Sequence, residues 1–434
     1  MAYTTQYTGY SAHMTRSRPK SHVGVNTRCL AEARPPSRNG CDKARVFHRK
    51  LGESNNSAGQ PPFDMMTLFR TPTCISYTTV ANGIRYLVPK GLRTFYVVTQ
   101  RQWVNAVDKW HERVVGVDED EAVPGVTRAA IEYLLKKHMI GKDAHGYYGG
   151  RATPGWYLVQ FLNLGFVTRA DVLDTLVLHD ADQMILPSFE VYGKGTFLHD
   201  GIERPRMRVR VGGSVIHSYD HGHMCLIGEK MAYTGNARKI AAAYKNQDIT
   251  PNHSQYYVLP HTVTGSFVTH TFTAFKPYMQ RLLSRFSPRA LSSNFTTRVP
   301  ATGSPHFAPW LESAIRCINR EDPKLGFGEI ASYQTYLLSH HHDSIELASV
   351  KTWSRNPKGK SEWSMLKDEA GYCCKVQPLL ERYSRMNQEF LGTELGHDWS
   401  QKYNCKYTKG DFFLSSSYPP AKALFWVERK CILS

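Results

Sequence analysis

Short apolar runs alternate with helical patterns between residues 84 and 182. Continuous β-branched and aromatic stretches predict buried strands, at 94–99, 114–117 and 174–179. Between and after them, apolar positions recur every three or four residues and predict helices, at 102–111, 126–138 and 155–164. Such alternation of strand and helix is typical of an α/β protein. The pattern predicts a Rossmann-like, mixed but mostly parallel sheet covered by helices on both faces.

The rest of the chain divides into regions of different pattern. Residues 1–62 are polar and basic and end in a Ser, Asn, Gly and Pro-rich stretch, which predicts a disordered arm. Short alternating strands are expected over 190–262, with His217, His221 and His223 in loops or strands. Helical periodicity returns further along, at 269–285, 307–320 and 328–340. Beyond Lys351 the pattern weakens, and we expect a C-terminal extension, 346–434, packed on the main domain.

Polar residues follow each of the three predicted strands. They are Thr99–Arg101, Asp118–Asp120 and Asp180–Asp182. In open parallel sheets, ligands bind at the carboxyl ends of the strands. We therefore expect these three segments to meet at one edge of the sheet and to form the site.

The Asp-Ala-Asp segment at 180–182 carries the most specific chemistry. Two carboxylates spaced by one residue, directly after the apolar strand that ends in His179, place hard oxygen ligands at the sheet edge. Mg²⁺ or Mn²⁺ held by one or two carboxylates keeps open positions for a diphosphate. Such a cation stabilises the charge that develops on a departing diphosphate. A polar loop after a strand is the simpler alternative, but the position at the sheet edge favours the metal site.

Charge adds a second, weaker indication. The 434-residue chain has 54 Lys and Arg against 37 Asp and Glu, a net charge of +17. Residues 1–60 hold ten of the basic and three of the acidic residues, a net of +7. A positive field attracts phosphates of a nucleotide, a nucleic acid or an anionic membrane. No nucleic-acid-binding motif accompanies it, which disfavours nucleic acid as the partner, while peripheral membrane contact through the arm stays open.

The cysteines and the first 30 residues indicate the cellular compartment that we expect for the protein. Nine widely spaced cysteines without a Cys-x-x-Cys pair predict reduced, structural thiols. The first 30 residues contain no apolar core of a secretory signal, and the sequence has no apolar run long enough to span a membrane. We therefore expect a cytoplasmic protein. An Arg- and Ser-containing start without an acid before Glu32 leaves organelle targeting open.

Three motifs, in this order along the chain, resemble those of a known enzyme family. They are Gly155-Trp156-Tyr157-Leu158-Val159-Gln160, then Asp180-Ala181-Asp182, and then Glu329-Ile330-Ala331-Ser332-Tyr333. Together they resemble GT-A-fold nucleotide-sugar glycosyltransferases, and more narrowly a family of predicted glycosyltransferases with Gly-Trp-Tyr-x-x-Gln, Asp-x-Asp and Glu-x-x-x-Tyr elements. The resemblance covers about 84–345 and implies a GT-A-like catalytic domain over 63–345.

The resemblance implies roles for individual residues. A nucleoside-diphosphate-sugar donor of the UDP or GDP type would be bound by a group of six residues: Thr99, Arg101, Asp118, Trp156, Gln160 and Asp180. Glu119 is the alternative to Asp118 for the base or ribose. Mn²⁺ or Mg²⁺ would be held by Asp180, Asp182 and His270. The sugar acceptor would be a hydroxyl of a glycan or protein.

Glu329 is the candidate general base. In inverting transfer, a carboxylate removes the proton of the acceptor hydroxyl as the sugar carbon is attacked. The alternative is an acid at a helix N-terminus that only stabilises the helix dipole. Core packing is likewise the alternative role for Trp156. Two other functions also stay open: a nucleotidyl- or phosphotransferase using the same metal site, and a non-catalytic basic nucleic-acid-binding protein.

Overall fold

A computed structural model describes most of the chain from residue 60 onward. The described residues are 60–140, 154–210, 217–234, 256–259, 270–286, 306–320, 323, 326–348, 352–367 and 375–393. The predicted arm over 1–62 lies outside them except for its last three residues, and so does the predicted extension beyond residue 393. No helix in these ranges is both long and apolar enough to cross a bilayer.

Strands and helices alternate through the first half of the described chain. The strands are β1 (Phe63–Leu68), β2 (Leu92–Thr99), β3 (Val114–Asp118), β4 (Thr175–His179), β5 (Gln183–Ile185), β6 (Tyr192–His199), β7 (Ile202–Arg210), β8 (Met231–Thr234), β9 (Tyr256–Leu259), β10 (Thr271–Phe275), β11 (Ile345–Ala348), β12 (Trp353–Ser354) and β13 (Phe390–Gly392). The helices are α1 (Cys74–Leu87), α2 (Arg101–Val107), α3 (Arg128–Lys137), α4 (Pro154–Phe166), α5 (His217–Ile227), α6 (Lys276–Arg285), α7 (Pro309–Arg316), α8 (Glu329–His340), α9 (Gly359–Met365) and α10 (Gln377–Arg385).

The central sheet has five strands in the order β10-β4-β1-β2-β3. Strands β1 to β4 run parallel, and β10 runs antiparallel to β4. Within the described ranges, three smaller sheets accompany it: β11-β7-β6, β12-β13-β5 and β8-β9. The predicted fold class, a mixed and mostly parallel sheet, is confirmed and is consistent with the GT-A-like class.

Both faces of the central sheet are covered because successive side chains point to opposite faces. On one face, Met66 and Leu178 belong to an apolar core shared with α3, α4, α6, α7 and α8. On the other face, Met65 and Val177 pack with α1 and with residues of and just after α2. Burial of each large apolar side chain contributes about 1.5–3 kcal/mol, so the two cores fix the sheet between its helices. The predicted covering of both faces is therefore confirmed.

The C-terminal residues contribute directly to the region after β4. Strand β13 pairs antiparallel with β5, which begins at Gln183 immediately after the Asp-Ala-Asp segment. Gly392 of β13 makes this close approach possible, since a Cβ there would lie 2.2 Å from both Arg355 O and Gln183 Oε1. Residues that follow 345 in sequence thus form part of the wall around the carboxylates.

Two secondary-structure predictions are wrong in part. The helical pattern at 269–285 contains strand β10 before α6, because the five buried residues Thr271–Phe275 merge with the apolar positions of the helix. His217, His221 and His223 lie on helix α5 rather than in loops or strands. The weakly amphipathic sequence of α5, interrupted by Gly222, gave little helical signal.

The prediction of reduced cysteines is wrong for Cys225 and Cys317, which form a disulfide. They are 92 residues apart in sequence, and their Cα atoms are 5.4 Å apart. Cys225 lies on α5 and Cys317 directly follows α7. Cysteine spacing alone gives no information about two helices that only the tertiary fold brings together.

Candidate functional site

Polar residues gather at the carboxyl ends of β1, β2, β3 and β4. The strand order reverses between β1 and β4, because β2 and β3 lie on one side of β1 and β4 on the other. Such a reversal opens a crevice at the carboxyl edge, where ligands bind in open α/β sheets. Asp180 and Asp182 follow β4 at this position. The expected convergence on one sheet edge thus matches the strand order.

The Asp180–Asp182 turn is fixed by hydrogen bonds to its backbone from four directions. Asp180 N–H donates to His270 O (2.9 Å), and Gln183 N–H donates to Asp180 O (3.1 Å). Thr79 Oγ1 of α1 donates to Ala181 O (3.0 Å). Thr393, after β13, donates to Asp182 O through both N–H (3.0 Å) and Oγ1 (3.2 Å). A turn held in this way presents its carboxylates without further ordering.

His179, the last residue of β4, supports the same turn from inside. It is buried, and its Nε2 lies 2.5 Å from Gln183 O while Nδ1 contacts Thr271 Oγ1. Burial lowers the pKa of His179 to about 4, so the ring is neutral at physiological pH. A neutral imidazole donates one hydrogen bond and accepts one, as these two contacts require. His179 therefore has a structural role next to the carboxylates.

Asp180 and His270 lie side by side. His270 Nδ1 is 2.7 Å from Asp180 Oδ2, and the Asp180 side chain is 36% exposed. His270 immediately precedes β10, the antiparallel neighbour of β4, which explains why residues 90 apart in sequence meet. Two of the three residues predicted as metal ligands are therefore in direct contact with each other.

Asp182 completes the predicted carboxylate pair. Its Oδ1 accepts a hydrogen bond from Gln183 Nε2 (3.1 Å), and its side chain is partly exposed. Within the described ranges, no three His, Cys, Asp or Glu side chains are grouped as a metal cage. Mg²⁺ is commonly held by one or two carboxylates together with substrate phosphates. The carboxylate oxygens of Asp180 and Asp182 therefore suit a hard divalent cation whose remaining ligands would come from a bound diphosphate.

The predicted donor residues at the ends of β2 and β3 are brought together. Thr99 pairs with Asp118 across the two strands. Arg101, at the start of α2, donates from Nε to Asp118 Oδ2 (2.6 Å) and also contacts Glu121. The Arg101 side chain is 73% exposed. Thr99 is buried and Asp118 nearly so, which leaves the Arg101 guanidinium as the solvent-facing member.

Two arginines that the sequence analysis did not single out lie near the same ends of β2 and β3. Arg70, just after β1, donates from Nε to the Gln100 amide oxygen at 2.8 Å. Arg128 begins α3, and a Cβ on Gly155 of α4 would lie 3.1 Å from its Nη2. Burial raises the pKa of Glu119, whereas the charges of Arg128 and Arg70 lower it. Arg70 lies two residues after β1 and was missed because that strand was not predicted.

Glu329 begins α8 and is 7% exposed. Asn163 Nδ2 of α4 donates to its Oε1 at 2.9 Å. Burial raises the pKa of Glu329 to about 7, the Asn163 hydrogen bond opposes this, and the negative charge of Asp180 adds to it. A carboxyl group with a pKa near the operating pH is suited to accept a proton. The two carboxyls are therefore close enough to interact electrostatically.

Trp156 and Gln160 lie on α4 next to Glu329. With its oxygen and nitrogen assigned so that each contact joins a donor to an acceptor, the Gln160 amide accepts a hydrogen bond from Trp156 Nε1 (2.7 Å) and donates to Phe327 O (2.6 Å) and Glu329 Oε2 (3.1 Å). Trp156 is half-buried and also packs against the apolar core. Asn163 was missed by the sequence reasoning. Its signal is that Gln160 and Asn163 are the two polar side chains of an otherwise apolar helix, one turn apart.

The raised pKa of Glu329 predicts a pH-dependent cost in stability. The carboxyl binds its proton more tightly in the folded protein, with a pKa of about 7 against an ordinary 4.5. The free energy of unfolding therefore falls as pH rises from about 4.5 through 7, by about 3 kcal/mol for this one group. We expect Glu329→Gln to be more stable relative to the wild type at pH 8 than at pH 4.5.

Urea unfolding of both proteins from pH 4.5 to 8 measures this difference. Asp220, whose pKa burial raises to about 8, titrates in both proteins, so its contribution cancels in the comparison. A stability difference that stays constant across this range would contradict the assignment of a raised pKa to Glu329.

Comparisons with known proteins add little to this geometry. No protein-family model matches the chain, and no curated protein matches it. A crystal structure of mouse xyloside xylosyltransferase 1, in its apo form, is similar over 77% of this chain and 98% of that chain, at 10% sequence identity and a TM-score of 0.34. At that score the likeness carries no argument about activity. The function has to be argued from the site.

Proposed function

We propose that this chain is a metal-dependent glycosyltransferase that moves a sugar from a nucleoside-diphosphate donor to a hydroxyl acceptor. One observation carries the proposal. A buried carboxyl, Glu329, with a pKa of about 7 lies within electrostatic reach of a partly exposed carboxylate, Asp180, at the point where the strand order reverses. This pairs a proton acceptor with a position suited to a diphosphate.

The proposed reaction is a displacement at the anomeric carbon. The acceptor oxygen forms the new bond to that carbon while its proton passes to Glu329. The bond from the anomeric carbon to the diphosphate oxygen breaks, and the diphosphate leaves with the bonding electrons. Burial of Glu329 keeps its carboxylate poorly solvated and therefore a stronger base than an exposed glutamate.

Asp180, Asp182 and His270 are the residues that would hold Mn²⁺ or Mg²⁺. The cation would supply Lewis-acid stabilisation of the charge on the leaving diphosphate. Arg70, Arg101 and Arg128 bring positive charge to the adjacent strand ends, where a donor of the UDP or GDP type would place its nucleotide. Asp118 and Glu119 would accept hydrogen bonds from the ribose or base.

Product analysis tests the reaction class. The protein is incubated with Mn²⁺, a mixture of glycan acceptors and, in turn, UDP-, GDP- and CDP-sugars. Release of a nucleoside diphosphate together with a glycosylated acceptor is the expected result. Release of a sugar 1-phosphate, with the nucleoside monophosphate left on the acceptor, would instead indicate nucleotidyl transfer on the same carboxylates, and would contradict the proposal.

A further inference from the structure

The carboxylate of Glu329 is held between two side-chain amides of one helix. Asn163 donates to Oε1 at 2.9 Å and Gln160 donates to Oε2 at 3.1 Å. All three side chains are buried, Gln160 to 2% exposure and Asn163 to 6%. Each carboxylate oxygen therefore has its own donor. Two donors on two oxygens fix both the position and the plane of the carboxylate.

Trp156 determines which way the Gln160 amide points. Its Nε1 donates to Gln160 Oε1 at 2.7 Å, so the NH₂ group faces Glu329 Oε2 and Phe327 O. Residues 156, 160 and 163 are spaced by four and three positions and so lie on one face of α4. A Trp N–H is a donor only, which makes the reversed amide orientation unfavourable.

The backbone that leads into Glu329 is fixed by packing. Gly328, the residue before α8, touches the ring of Tyr219, and a Cβ at this position would lie 2.6 Å from ring atoms. The Gln160 contact with Phe327 O ties the same turn to α4. Side chain and backbone at the start of α8 are thus both fixed relative to α4.

Neutral donors suit a carboxylate that has to accept a proton. An arginine or lysine in place of the amides would stabilise the carboxylate by full charge and make it a weak base. Amides orient the carboxylate and satisfy its buried oxygens with a smaller effect on its basicity. Because both polar ends of Gln160 are engaged by protein atoms, the contacts favour a role toward Glu329 over direct contact with the donor.

We propose that Trp156, Gln160 and Asn163 form an amide clamp that positions the Glu329 carboxylate for proton transfer. They are positioning residues that act through Glu329. The structural part of the proposal is independent of the activity, while the effect on rate rests on the proposed glycosyltransferase function.

A double-mutant cycle in stability tests the clamp without an activity assay. Asn163→Leu and Gln160→Met remove the donors while nearly keeping side-chain volume, and Glu329→Met removes the carboxylate. In the wild-type background, we expect each clamp variant to lower the equilibrium ratio of folded to unfolded protein about tenfold or more. In the Glu329→Met background, we expect the same substitutions to lower this ratio far less. Equal losses in both backgrounds would overturn the clamp.

The same cycle in kcat tests the positioning role. We expect Gln160→Met and Asn163→Leu to lower kcat about 10- to 100-fold with donor Kd unchanged, and to lower it less than about twofold when Glu329→Met is already present. Gln334→Met is the matched control, because Gln334 is a buried glutamine on α8 that forms no hydrogen bond within the described part of the chain. This control is expected to keep kcat.

The two cycles separate the failure of the clamp from the failure of the proposed function. Coupling in stability with no sugar transfer from any donor would leave the clamp standing and overturn the transferase. Coupling in stability with additive losses in kcat would overturn the positioning role. If the clamp variants bound the donor more weakly than the wild type does, Gln160 would be assigned to donor binding, and the positioning role would be overturned.

Discussion

Glu329→Gln is expected to lower the rate of sugar transfer by about a thousandfold while leaving donor affinity nearly unchanged. A general base typically contributes 10²- to 10⁴-fold to a rate. The glutamine keeps the size of the side chain and can still accept from one of the two amides, so the start of α8 remains in place. What is lost is the ability to take the proton of the acceptor hydroxyl.

Single-turnover rates and donor Kd, measured on the same preparations, check this expectation. Glu362→Gln is a suitable control, since Glu362 is also a buried carboxyl and accepts a hydrogen bond from Tyr383 of α10 rather than from the amides of α4. A matched loss of rate and donor affinity in Glu329→Gln would assign Glu329 to binding instead of proton transfer.

Asp180→Asn is expected to lower transfer by about a thousandfold or more and to weaken nucleoside-diphosphate binding in the presence of Mn²⁺. Metal assistance to a departing diphosphate is worth several kcal/mol, and an amide is a poorer ligand for a hard cation than a carboxylate. The backbone contacts that hold the turn do not involve the Asp180 carboxylate, so the fold is expected to survive.

Asp171→Asn provides the matched control for this prediction. Asp171 lies just before β4, at the amino end of the same strand, where its carboxylate pairs with Arg169. Its variant is expected to keep both metal-dependent binding and transfer. If Asp180→Asn binds the nucleotide with unchanged metal dependence, Asp180 is not a metal ligand.

Sequence patterns predicted the parallel strands and the carboxylates that follow them. Strands β2 and β4 are mostly buried apolar runs, which is the pattern a doubly covered parallel sheet imposes. The outermost strand β3 is also a short apolar run, although its Val115 is exposed. Polar residues directly after such runs therefore indicate where the strands end. Helix α8 was predicted because apolar positions recur at helical spacing over 328–340.

Other parts of the site depend on tertiary contacts that local pattern does not encode. Strand β1, Phe-Asp-Met-Met-Thr-Leu, buries Asp64 and Thr67 with its apolar residues, so it lacks a clear strand pattern. Arg70 was missed together with β1. Asn163 was missed because its partner, Glu329, lies 166 residues further along the chain. The Cys225–Cys317 disulfide joins residues whose proximity depends on how α5 and α7 pack.

Metal-dependent binding of a nucleoside diphosphate is the central claim, and a thermal-shift panel tests it most directly. UDP, GDP, CDP and their sugars are each added with and without Mn²⁺ to the wild type and to Asp182→Ala. A ligand that binds the folded state raises its apparent stability by an amount that depends on its concentration relative to Kd. We expect one nucleotide to raise Tm only with Mn²⁺ present and only when Asp182 is intact. A well-folded wild type whose Tm none of these nucleotides changes, with or without Mn²⁺, would contradict the proposed donor site.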